Sequence, residues 1–137
     1  MKKLLLTATL AFSPLIAHSN EYPTQAEFYS KPENVALYEK AKDSGTFTNQ
    51  SQIYLEGCLK GATTDAEKKQ CECGSDFVKD IPAEELFYES YLSYLIYQDR
   101  VRAKVVNDPD RVAEIDKYDD SRKGLTKKIE AACSAKK

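Results

Sequence analysis

The residues best equipped for chemistry are Cys71 and Cys73 in "KKQCECGSDF", two thiols one residue apart. With Cys58 and Cys133 they complete a set of four cysteines. Such thiols can bind a soft metal, exchange with a disulfide or cross-link the chain, and spacing decides among these. A four-cysteine zinc site uses paired Cys-x2-Cys knuckles, whereas here the order is Cys-x12-Cys-x-Cys followed by a long gap. Disulfide exchange needs an exposed thiolate with a depressed pKa. Lys68 and Lys69 favour that thiolate, but Glu72 between the sulfurs opposes it and no thioredoxin-like strand-helix pattern surrounds the pair. Cross-linking is therefore the expected role of Cys58, Cys71, Cys73 and Cys133. A thiol-redox or metal-carrying role for Cys71 and Cys73 is the alternative.

The rest of the sequence narrows the chemistry further. Met1-Lys2-Lys3 and the run "LLLTATLAFSPLIA" have the positive start and short apolar stretch of a secretory signal peptide. Pro14 interrupts the run, which is too short to span a bilayer. Ala17-His18-Ser19 offers a small-x-small cleavage site, so residues 1–19 are expected to be removed, with cleavage after Ala17 as the rival. No cysteine lies near the cut to carry a lipid anchor, and no later stretch is apolar enough for a membrane span. The expectation is a soluble protein of the periplasm or the secreted space. The cut also removes His18 and Met1, the only histidine and methionine, and tryptophan is absent throughout. Ser-His-Asp and Cys-His nucleophiles, histidine zinc sites and His/Met copper sites are thereby excluded from the mature chain. Loss of Lys2 and Lys3 takes the formal charge from −2 to −4. A chain with no basic surplus is a poor ligand for nucleic acid or anionic membrane.

The elements that position these residues read as helices. Glycine and proline are few, strand-like alternation is absent and charges recur at helical spacing. Residues 20–30 are polar and expected to be a flexible N-terminal segment, leaving 31–137 as a single helical domain. Helices are predicted from Pro32 to about Asp43, from about Asn49 to Lys60, and from a Thr64 or Asp65 cap to about Asp80. A fourth helix opens at Pro82 with Glu84 and Glu85 in its first turn and Arg100, Arg102 and Lys104 near its end. A fifth is predicted from Pro109 to about Cys133, with Ile115, Tyr118, Arg122, Leu125, Ile129 and Ala132 as a packing seam. Arg122 interrupts that seam and is read as lying over its neighbours with its head in water. The fold class is all-α, a small disulfide-stapled bundle of about four to five helices.

On a helical wheel Cys71 and Cys73 fall about 160° to 200° apart, on opposite borders of an apolar face made by Ala66, Gly74, Phe77, Val78 and Ile81. They point at different neighbours, and a bond between them would distort the helix. Each therefore needs Cys58 or Cys133. A hairpin about Gly61 brings Cys58 closer to the level of Cys71, so Cys58–Cys71 with Cys73–Cys133 is preferred and the swapped pairing stays open.

In the fourth helix Tyr88, Tyr91, Tyr94 and Tyr97 recur every third residue and so wind around it. A helix apolar over most of its circumference is central. Most of these rings are expected to supply bulk, with hydroxyls at the rim. Tyr94 and Tyr97, on the trailing edge, are the candidate binding residues for a partner protein. The acids Glu84 and Glu85, Asp108 and Asp110, and Asp119 and Asp120 lie at helix starts or on solvated faces, where capping and solvation explain them. "NDPDRVAEID" lacks the glycine that a calcium loop requires.

Tyr54, four residues before Cys58, and the later Cys71-x-Cys73 give an aromatic-x3-Cys…Cys-x-Cys pattern. Over Tyr54 to Tyr88 this resembles a loose class of small exported bacterial proteins. The resemblance implies export and disulfides, and no activity. The sequence is accordingly read as a small exported non-catalytic binding protein, such as an inhibitor, an immunity protein or an envelope accessory factor. It is expected to need no cofactor, and its expected partner is another protein.

Overall fold

The computed structural model describes residues 22–134, and within them the chain forms helices and no strand. These are α1 (Gln25–Tyr29), α2 (Pro32–Asp43), α3 (Gln50–Leu59), α4 (Asp65–Lys79), α5 (Ala83–Val105), α6 (Pro109–Ser121) and α7 (Leu125–Ser134). The proposed signal peptide lies outside the described residues. Local chemistry sets the starts. Thr24 and Thr64 each accept the N–H of a glutamate three residues on, while that glutamate accepts the threonine's N–H, a reciprocal cap at α1 and α4. Pro32 and Pro109 occupy first-turn positions where no N–H is needed. Asn107, at φ 56°, reverses the chain after α5, and the Asp108 carboxylate then accepts the Arg111 N–H to open α6.

The helices pack as two groups joined through α5. In the first, α1, α2 and α6 surround α5, and Tyr22, Phe28, Tyr88, Leu92, Ile96, Ala103 and Ile115 form the core. In the second, α3 and α7 flank α4, with Val78, Ile129 and Cys133 at the centre and Leu86 of α5 packed against them. No described helix is long and apolar enough to cross a membrane.

Two expectations are corrected. The segment 20–30 is anchored within its described part. Phe28 is fully buried, its ring 4.7 Å from that of Tyr91, and the buried Tyr22 donates to Asp99 at 2.8 Å. Two aromatic rings inserted against α5 outweigh the polarity of the residues between them. The helix predicted from Pro109 to Cys133 is two helices. Arg122 takes an extended conformation (ψ 145°) at the end of α6, and Gly124 follows, where a Cβ would meet the Arg122 guanidinium at 3.0 Å. The seam from Ile115 to Ala132 therefore splits, Ile115 going to the α5 core and Ile129 to the α4 core.

Candidate functional site

All four cysteines are bonded, Cys58 to Cys71 and Cys73 to Cys133, with Cα separations of 5.6 Å and 5.9 Å. This is the pairing that the hairpin reading preferred. One bond closes the α3–α4 hairpin and the other ties α7 to α4, so the two borders of α4 face different neighbours. Tyr54 lies one turn before Cys58 on α3 and places its ring over Gly74. A Cβ on Gly74 would lie 2.5 Å from Tyr54 Oη and 2.6 Å from its Cε1, so any larger residue there would have to push this ring aside. The aromatic-x3-Cys spacing thus has a packing cause: it lays a ring across the paired helix beside the sulfurs.

Beside that bond is an open groove of about 290 Å³, with Tyr54, Cys58, Cys71 and Ile129 among its walls and Gln70, Thr126 and Glu130 at its rim. Glu67 also borders it. Hydrogen bonds from the backbone N–H groups of Thr63 and Thr64, then from their hydroxyls, hold the Glu67 carboxyl down at about 2. Its Oε2 is thereby committed to the α4 cap. Among the described residues no three His, Cys, Asp or Glu side chains converge as a metal cluster.

The tyrosines of α5 divide. Tyr88 is buried and donates to the Pro23 carbonyl at 2.9 Å, and Tyr91 packs on Phe28. Tyr94 and Tyr97 are 56 % and 61 % exposed. Beyond them Val101 and Val105 are 40 % and 79 % exposed. Spacings of three, four and four residues put all four on one face of α5, opposite the buried Leu92, Ile96 and Ala103. The result is an apolar ridge on solvent. Tyrosine periodicity pointed to its first half; Val101 and Val105 were missed, although their spacing continues in "YQDRVRAKVV".

An ionic cluster the sequence did not reveal joins α5, α6 and the turn before α7. Arg122 does not put its head in water: it donates to Glu89 at 2.8 Å, to Asp119 at 2.9 Å and to Ser93 Oγ at 3.3 Å. Arg100 bridges Asp116 at 2.8 Å and Asp119 at 3.1 Å. Asp99 accepts from Tyr22 and, at 2.7 Å, from Arg111. Burial works to raise the carboxyls of Asp99 and Asp119, but hydrogen bonds from these tyrosine and arginine donors outweigh it and hold both below the usual range. The neighbouring acids have structural employment, since Asp108 caps α6, Asp119 serves two arginines and Glu85 pairs with Lys128 at 2.6 Å.

Comparison with protein-family models, curated proteins and solved structures finds no significant match to this chain.

Proposed function

We propose that this protein is a small exported, non-catalytic binding protein that recognises another protein through the outer face of α5. The observation that carries the reading is the ridge of Tyr94, Tyr97, Val101 and Val105, left on solvent by a helix whose opposite face is core. Contiguous exposed apolar surface of this kind marks interaction sites. Tyrosine favours recognition because it brings large contact area and a hydroxyl with few torsions to freeze. The two disulfides and the signal-like N-terminus support an oxidising, exported setting. A cross-linked scaffold presenting one recognition face would suit an inhibitor, an immunity protein or an envelope accessory factor.

The test is capture from an envelope extract on immobilised mature protein, wild type beside Tyr94→Ala/Tyr97→Ala. Both positions are exposed, so the variant should keep its helical signal. A protein retained by the wild type and lost from the variant supports the reading. Equal retention by both would refute it by placing recognition elsewhere.

A further inference from the structure

We propose that the occupant of the α5 ridge is a second copy of this chain, docked antiparallel about a twofold axis level with Asp99 and Arg100. The inference rests on the reading of the ridge as a protein-binding surface and names its partner.

The first argument is shape. The ridge is bulky at one end, with Tyr94 and Tyr97, and slender at the other, with Val101 and Val105. A parallel pair would set tyrosine on tyrosine and valine on valine, wedging one end open and leaving a void at the other. An antiparallel pair sets Tyr94 against Val105 and Tyr97 against Val101 of the second copy, both pairs centred near residue 99. Each bulky contact is then matched by a small one, as close packing requires, and the same patch serves both copies, as a twofold interface demands.

The second argument is charge. Tyr91, Leu95, Gln98 and Arg102 run along one flank of α5 at spacings of four, three and four. A twofold axis in the interface plane lays this flank beside its own reversed copy. Arg102 of one molecule then approaches the Tyr91–Leu95 end of the other. There Glu27 and Glu33, with Lys31, line an open groove of about 680 Å³ that Tyr91 and Leu95 also border. Arg102 is 75 % exposed and held by Asp99 at 3.8 Å, so it is free to reach across. Glu27 is committed to the α1 cap and has Lys31 as its charged neighbour, which leaves Glu33 as the carboxylate that suits a guanidinium.

The ridge spans about 16 Å of helix, and its interface falls among small ones, below about 1,200 Å² in total. An interface of this size belongs with weak, transient associations, whose extent follows protein concentration.

Sedimentation equilibrium of the mature oxidised protein, from micromolar to millimolar concentration, tests the inference. The wild type should pass from monomer to dimer. Val101→Glu, at an exposed position on the ridge, should weaken dimerisation at least about tenfold with circular dichroism unchanged. Arg102→Glu should weaken it several-fold, and Glu33→Lys/Arg102→Glu should recover most of that loss. A wild type that stays monomeric to millimolar concentration, or a dimer indifferent to Val101→Glu, overturns the inference. Failure of the paired charge reversal overturns the antiparallel register. A monomeric wild type whose extract capture still depends on Tyr94 and Tyr97 removes the self-association alone and leaves the protein-binding reading standing.

Discussion

Replacing Cys73 and Cys133 together by serine should cost more stability than any other conservative change in the molecule. The bond joins residues separated by 60 in sequence, and constraining the unfolded chain over that distance contributes about 4 kcal/mol by chain-entropy reasoning. The Cys58–Cys71 bond spans a separation of 13, for which the same reasoning gives about 3 kcal/mol. Small domains are stable by only about 5–15 kcal/mol, so the longer closure is a large share of the total. Local structure points the same way. α7 has ten residues, too few to be helical alone. Apart from sulfur it is held by Ile129 and Leu125 against the Val78 cluster and by Lys128 on Glu85. The assay is urea unfolding followed by circular dichroism, comparing Cys73→Ser/Cys133→Ser with Cys58→Ser/Cys71→Ser. Intact mass before and after alkylation without reductant, showing no added mass on the wild type, fixes the starting state. The expected losses are about 4 and about 3 kcal/mol, in that order. A loss below about 1 kcal/mol for the longer closure, or the reverse order, would refute the reasoning.

Acid should act through the ionic cluster. The folded pKa values of Asp99 and Asp119 are depressed, so their contribution is fully present above the unfolded carboxylate value of about 3.9 and is lost as pH falls through the lower folded values. The urea midpoint should hold from neutral pH to about pH 5 and drop below about pH 4, with a shallower fall in Asp99→Asn; an unchanged midpoint at pH 2 contradicts this. Arg122→Met strips the partner from Glu89, whose side chain is 10 % exposed, and should cost about 2–4 kcal/mol. Glu89→Gln/Arg122→Met should recover much of that loss, and a double-mutant cycle with no coupling would show that the pair does not act as one.

Elements defined by local chemistry were legible, and those defined by distant partners were not. Proline at a first turn, threonine caps and a glycine stop fixed α2 to within its observed ends and α4 to within a residue. The disulfide pairing was the one a wheel and a hairpin preferred, though they left the swapped pairing open. α1 escaped because five residues carry no periodicity, although Thr24-Gln25-Ala26-Glu27 spells its capping box. The break at Arg122 escaped for a different reason. Arg122, Lys123 and Gly124 permit a turn, and the extended Arg122 at that turn sets its guanidinium on Glu89, 33 residues earlier, a contact no local pattern records. The α5 ridge was half legible. Tyrosines draw notice as recognition residues, whereas exposed valines look like core until the opposite face is seen to be filled.

Both sulfur bridges meet on α4, and the longer one makes a covalent ring of everything from Cys73 to Cys133, α5 and α6 included. A protease that nicks the backbone once inside this ring releases no fragment. The clipped molecule stays whole, two chains tethered at one cystine, and α5 remains attached to its scaffold. Under attack by proteases, that tolerance of damage would let the exposed ridge persist where an uncrosslinked bundle would be dismantled.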